Sequence, residues 1–326
     1  MKHKLCAALL IFFLSSLMLF SADKKNKDET KPSIIIEPEI GALYGTIYEK
    51  VWYADMTYSG SKLSYSPSTL ESRLDWQLSN TPYSALGVYC LFGPDLHFYF
   101  GYRSALSRYC GYLEDYDWLV RNELTNYSIH TIYLNSAKQF DFLFGKSYNV
   151  KRFKLTPSAG IKVQSLSFAG EGGYRRYKSE DWAMLPFGDV TVITYNLLYA
   201  APCLAFDCLC NYYSNGKFGI EQNFYFSASY IKTINAYDEH LNKSTYFKDV
   251  LEHSFLLQAE TKLYFKINSH NKIGLKAGLS FMPDTYGFTF IKSSPDAEYP
   301  EMPGGGSLGG SSRLVFNYGL VYSLSF

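Results

Sequence analysis

The stretch Asp238-Glu239-His240, together with Asp115-Tyr116-Asp117-Trp118 far upstream, has the residue types and spacing to do chemistry. Alternate side chains of an extended strand share a face, so Asp115 with Asp117 is one same-face pair and Asp238 with His240 is another. If the fold sets the two pairs opposite each other, the imidazole can deprotonate a water held between them, oriented and kept basic by Asp238. That would be a hydrolytic site. The plain alternative is that Asp and His populate polar loop tips. A divalent metal held by Asp115, Asp117, Asp238 and His240 is a further reading.

The elements that must position these residues follow from the rest of the chain. Lys2, His3 and Lys4 precede an uncharged run from Leu5 to Phe20, then Ser21 and Ala22 before Asp23. A basic start, a short apolar core and a small-residue exit describe a secretory signal peptide over 1–22. The run is shorter than the ~20 residues of a membrane-spanning helix. Residues 23–38 read as a polar leader, and 39–326 as one large β domain. Apolar residues are 47% of the chain and aromatic ones 18%, with Tyr 30 and Phe 24 against Pro 12, a strand-forming composition. A formal net charge of +1 gives no reason to expect nucleic acid as a partner.

Alternation sets the kind of β domain. Phe316, Tyr318, Leu320, Tyr322, Leu324 and Phe326 alternate with small or polar residues, and so do Phe218, Ile220, Phe224, Phe226 and Ile273, Leu275, Ala277, Leu279, Phe281. A soluble sandwich also alternates, but a membrane barrel turns the apolar face to lipid and the polar face inward, and this chain ends on an aromatic. The expected fold is all-β, an antiparallel transmembrane β-barrel of about ten strands, extending beyond the bacterial outer membrane. The strands are placed at 39–56, 67–92, 95–107, 123–145, 151–178, 191–213, 217–237, 249–266, 273–290 and 312–326. Tight turns alternate with longer connections at 57–66, 108–122, 179–190, 238–248 and 291–311, which puts both acidic stretches at the extracellular end. Such a barrel is too narrow for a diffusion pore, which takes ~16–18 strands.

Arg73-Leu74-Asp75-Trp76, the DxDW of Asp115 to Trp118, Pro202 in mid-strand, the DEH of Asp238 to His240 and a final strand ending in Phe326 occur in this order after Gly41, Gly45 and Glu49-Lys50-Val51. In this the chain resembles the omptin family, ten-stranded outer-membrane endopeptidases of aspartic type. The resemblance implies that Asp238 and His240 form a dyad facing the pair Asp115 and Asp117. Activated water would attack a peptide bond outside the cell, in a monomeric barrel without cofactor or metal. It also implies that Glu49 binds a basic side chain before the scissile bond. The family's second pocket acid, two residues before the dyad Asp, is Ala236 here. With Glu49 alone the expectation is cleavage after Arg with relaxed selectivity. Ile161, Val163 and Ser165 stand at the family's lipopolysaccharide-contacting positions and lack their chemistry, which leaves dependence on that lipid open. An omptin-like barrel acting as a non-catalytic adhesin is the alternative function.

Parity raises a difficulty. Followed from Phe218 through Tyr230, it turns Asp238 and His240 toward lipid, so a bulge is expected between Tyr230 and Asp238. Cys90, Cys110, Cys203, Cys208 and Cys210 are odd in number without metal spacing and read as filling. The glycine-rich run 304–310 reads as a flexible outer loop, and His97, His130, His253 and His270 as packing or surface histidines.

Overall fold

The computed structural model describes residues 33–326 except 60–61, 94, 215–217, 301–302 and 304–305. The expected signal peptide and residues 23–32 of the leader lie outside the described residues. The strands are β1 (Ser33–Ser59), β2 (Lys62–Phe92), β3 (Leu96–Ala105), β4 (Tyr109–Asp117), β5 (Asn126–Lys146), β6 (Tyr148–Val150), β7 (Phe153–Tyr177), β8 (Leu185–Pro186), β9 (Thr191–Ser214), β10 (Gly219–His240), β11 (Thr245–Lys266), β12 (Asn271–Lys292) and β13 (Ser307–Ser325). β3 and β4 both pair with β2 and with β5, so they are two lengths of a single stave. The staves are β1, β2, β3 with β4, β5, β7, β9, β10, β11, β12 and β13, which makes ten, and β13 pairs with β1 to close the ring. All neighbours are antiparallel, as expected. β6 and β8 are short extensions paired to β7.

The connections at the end that carries the acidic residues are shorter than the sequence suggested. β1 begins at Ser33, inside the expected leader, and β1 and β2 leave only 60–61 between them. The stretch 108–122 is not one long loop, because residues 109–117 form β4 and place Asp115 and Asp117 on a strand. Likewise β10 runs through His240 and β11 resumes at Thr245. Residues 304–305 of the glycine-rich run lie outside the described residues, but its end is not a free loop: Gly309 and Gly310 lie in β13, opposite Val51 and Lys50. A Cβ on Gly310 would overlap the Trp52 ring, and one on Gly309 the Asp249 carboxyl. Polar, glycine-rich sequence reads as loop, but here it is wall above the lipid-facing band, free of the apolar alternation that lipid imposes.

That band is apolar on the outside. Ile34, Ile40 and Tyr44 of β1, Phe224 and Phe226 of β10, Leu275 and Phe281 of β12, and Phe316, Tyr318, Leu320 and Tyr322 of β13 all present exposed apolar side chains. Inside, at the same level, charges are paired. Lys276 Nζ lies 3.0 Å from Glu39 Oε1 and 2.9 Å from Glu260 Oε2, Arg103 Nη2 3.0 Å from Glu260 Oε1, and Lys262 Nζ 2.7 Å from Glu37 Oε2. Pairing is what allows such groups to stay ionised away from water. Above this polar network the interior is not wet throughout, as alternation alone implied. Trp76 stacks between Phe168 and Tyr195 at centroid distances of 5.4 and 5.8 Å, and Ile47, Leu74, Leu113, Ile132, Ile234 and Leu251 surround them to make an apolar floor.

The expected bulge is present, and it belongs to a belt. In β10 the buried residues are Ser227, Ser229 and Ile231 below, but Ile234, Ala236 and Asp238 above. Its register with β9 slips between Ser229 and Asn235. β11 switches likewise, from Ser254, Leu256 and Gln258 to Leu251 and Asp249, with His253 at φ 58° opposite Lys232. β12 slips against β13 between Met282 and Thr285, around Pro283, which has no N–H to contribute there. Because β10 and β11 switch together, the register between them does not change. Deleting Lys232 removes the extra residue of β10 and is expected to turn Asp238 and His240 outward. Hydrolysis should be lost while the folded barrel keeps its heat-dependent electrophoretic mobility; retained hydrolysis would contradict the role given to the belt.

Candidate active site

The top of β10 carries the dyad. Asp238 pairs with Phe247 and His240 with Thr245, and the tight turn Leu241–Lys243 follows at once, so the backbone on both sides of His240 is fixed. His240 Nε2 lies 2.8 Å from Asp238 Oδ2, and the Phe247 ring meets the imidazole edge-on at 5.4 Å. Burial opposes a charge on His240, but Asp238, and after it Asp115, outweigh this and raise its pKa above the ordinary value.

Asp115 and Asp117 come from β4 on another wall of the barrel. Asn126 Nδ2 donates to Asp117 Oδ2 at 3.2 Å, and Ser128 Oγ lies 3.3 Å from Asp115 Oδ2. Burial, then the Asp117 charge, pushes Asp115 up to about 7, while His240 pulls it back. Asp115 and His240 each act on the charge of the other, so the two acidic stretches lie within electrostatic reach. Asp115 Oδ1 and Asp238 Oδ1 are buried and have no hydrogen-bond partner among the described residues.

Glu49 joins them from β1. It is 1% exposed, accepts a hydrogen bond from Trp76 Nε1 at 3.4 Å, and is held well above the ordinary carboxyl range by burial and then by Asp238 and Asp249. Among the described residues no cluster of His, Cys, Asp and Glu has the form of a metal-ligand set.

The omptin family model matches residues 30–322. The chain belongs to the omptin family. In structure it is similar to the outer membrane protease OmpT from Escherichia coli, with a TM-score of 0.76 at 17% identity over 94% of this chain and 99% of that one. The transport unit of the autotransporter AIDA-I from Escherichia coli matches at a TM-score of 0.36 and 10% identity, over 94% of this chain and 97% of that one. No curated protein matches in sequence.

Two residues of this omptin's site were not legible as such. His130, read as a packing or surface histidine, is buried, and what the sequence did not show is its link to Asp115 through Ser128: its Nδ1 lies 2.7 Å from the Gly172 carbonyl and its Nε2 2.9 Å from Ser128 Oγ. Gly172 at φ 60° and Gly173 at φ 85° lie where β7 carries an extra residue against β5, a bulge that brings the carbonyl there. Burial lowers the pKa of His130, so the ring is neutral, with Nδ1–H donating to Gly172 and Nε2 accepting. Ser128 has one proton to give. It serves Asp115 when that carboxyl is ionised and can turn to His130 when Asp115 carries its own proton. The second residue is Asp249, 3% exposed and held by Thr289. Continued from Phe255 and Leu257 without a bulge, parity would have turned it outward.

Burial, the first cause in each case, and neighbouring carboxyls raise both Asp115 and Asp249 from 3.8 to about 7. Between those values the folded state binds more protons at these two groups than the unfolded one, so their contribution to stability is fully present below about 4 and is lost as pH rises to about 7. His240, also raised, acts in the same direction as pH rises through its folded value. The thermal midpoint of the barrel in detergent micelles is therefore expected to be higher near pH 5 than near pH 8, with Asp115→Asn reducing the difference. A midpoint that climbs over this range would contradict the burial of these acids in uncharged form.

Proposed function

We propose that this omptin is an endopeptidase of the bacterial outer membrane that hydrolyses extracellular peptides next to basic residues, using water activated between His240 with Asp238 and Asp115 with Asp117. The observation that carries the reading is the 2.8 Å pair of His240 and Asp238 in the same electrostatic neighbourhood as Asp115. Nε2–H given to Asp238 leaves the Nδ1 lone pair as the base. Water loses its proton to His240 and attacks the scissile carbonyl carbon. Asp115, raised to about 7 by burial and by the Asp117 charge, can donate a hydrogen bond to the developing oxyanion, and Asp117 acts by keeping that proton on Asp115. His240 then returns the proton to the leaving amine. The apolar floor under Trp76 closes the site from below, so the interactions act at low dielectric.

An apolar outer band below the site and the family membership support the outer membrane as the location. The site then faces outward, where peptides reach it without crossing the lipid. Glu49 supports a preference for a cationic side chain.

The test is a refolded barrel incubated with a randomised peptide library, product ends read by mass spectrometry. Cleavage beside basic residues is expected, and His240→Ala should lower kcat by about 10²–10⁴-fold. Activity should rise as pH increases through the raised pKa of His240, because the base must be neutral. A profile falling over that range would remove His240 from the role of base. Glu49→Ala should cost the basic preference; an unchanged order of preferred residues would place Glu49 outside the pocket.

A further inference from the structure

Ala236 leaves the cation pocket one acid short in the sequence, and the sheet register supplies another. Asp249 of β11 is the direct cross-strand partner of Ala236 of β10, so methyl and carboxyl lie side by side on the inner face of the wall. Thr289 Oγ1 donates to Asp249 Oδ1 at 2.8 Å. The glycine at 309 leaves room for this carboxyl, since a Cβ there would overlap it. The titratable groups around it are Asp238 on β10, Glu49 on β1, Tyr195 on β9 and Tyr299 between β12 and β13. Asp238 Oδ1, buried and without a partner among the described residues, belongs to the same cluster.

Lower in the barrel the buried acids Glu37, Glu39, Glu221 and Glu260 are each paired with Lys or Arg. Among the described residues Glu49 and Asp249 have no such ion pair, and the charged groups that act most on each are carboxyls. For those four lower acids a resident cation neutralises the carboxylate. Here the place of the cation is left to a ligand.

We infer that Asp249 is a specificity-determining residue of this omptin: with Glu49 it forms a two-carboxylate pocket for the guanidinium or ammonium side chain of the substrate, standing in for the acid missing at Ala236. This rests on the endopeptidase reading. Two carboxylates can hold either a planar fork or an ammonium, so the preference for basic residues is strict and includes Lys as well as Arg, in place of the relaxed selectivity expected from Glu49 alone. Burial first, and Asp238 with it, raises both acids above the ordinary carboxyl range, Asp249 to about 7 against the pull of Thr289, so each keeps a proton to higher pH than an ordinary carboxyl. Capture of a cation ionises them and releases protons.

The experiment compares wild type, Asp249→Asn and Glu49→Gln as refolded barrels. Peptides that differ only in Arg, Lys or norleucine before the scissile bond give the kcat/KM ratio of basic to uncharged residue. Titration calorimetry of arginine amide in two buffers of different ionisation enthalpy gives the proton release. Asp249→Asn should lower the ratio about 10–100-fold and reduce the proton release. An unchanged ratio and unchanged release would overturn the assignment of Asp249. A wild type that cleaves no peptide but binds arginine amide with Asp249-dependent proton release supports the pocket and defeats the endopeptidase reading. A wild type that neither cleaves nor binds defeats both. If Asp249→Asn does not reach the folded electrophoretic form, Gly309→Ala, whose methyl displaces the Asp249 carboxyl, takes its place with the same expectation and the same overturning result.

Discussion

A β-strand sends alternate side chains to opposite faces, and in this barrel a continuous strand has two incompatible tasks. In the lipid band its even or odd positions must be apolar and face out. Above the band, on β10, β11 and β12, the residues that would then face inward are not the ones that carry function. A single extra residue in each of these strands reverses the assignment at one level. Because neighbours switch together, the hydrogen-bonded register between β10 and β11 is kept through the change. The alternative, a switch in one strand alone, would shift that strand against both its neighbours and expose backbone groups that lipid cannot satisfy. Asp238, His240 and Asp249 all face the interior because of this belt.

The interior is built in three electrostatic layers. Lowest are carboxylates paired with Lys and Arg, whose charges are mutually stabilised and immobile. Above them lies the stacked layer of Phe168, Trp76 and Tyr195. It keeps the polar lumen from reaching the site with water or with long cationic side chains. Highest are acids without a Lys or Arg partner: Glu49 of β1, Asp115 of β4 and Asp249 of β11. A buried carboxyl without a partner is costly in its ionised form, so these groups hold protons at pH values where ordinary carboxyls have lost them. A site of this kind is destabilising for the fold and responsive to ligands for the same reason. The rest of the barrel, closed by β1 with β13, carries that cost.

His130 and Ser128 illustrate how the wall around the site is tied to it. The Ser128 hydroxyl can bond only one of Asp115 and His130 at a time, and the direction it takes depends on whether Asp115 is charged. The Gly172 carbonyl fixes the tautomer of His130 and so removes one degree of freedom from that choice. The protonation of Asp115 is thereby coupled to a hydrogen bond that touches no substrate.

The alternating aromatics of β13 and of the other strands, with tight turns alternating with longer connections, were enough to point to an antiparallel barrel, because lipid on one side and polar groups on the other leave a period of two in the sequence. DxDW and DEH were enough to name Asp115, Asp117, Asp238 and His240, since two-residue spacing is itself a statement about faces. Even the bulge in β10 was legible, as a clash between the parity of Phe224 and Phe226 and that of the dyad. Local pattern did not carry the strand character of 109–117 and of Gly309 with Gly310, because above the lipid nothing enforces alternation. Nor did it show that Trp76 would floor the site. Asp249 was decided by tertiary structure alone: its inward direction depends on a bulge in its own strand, and its pairing with Ala236 on the register between β10 and β11, which no single segment of the chain contains.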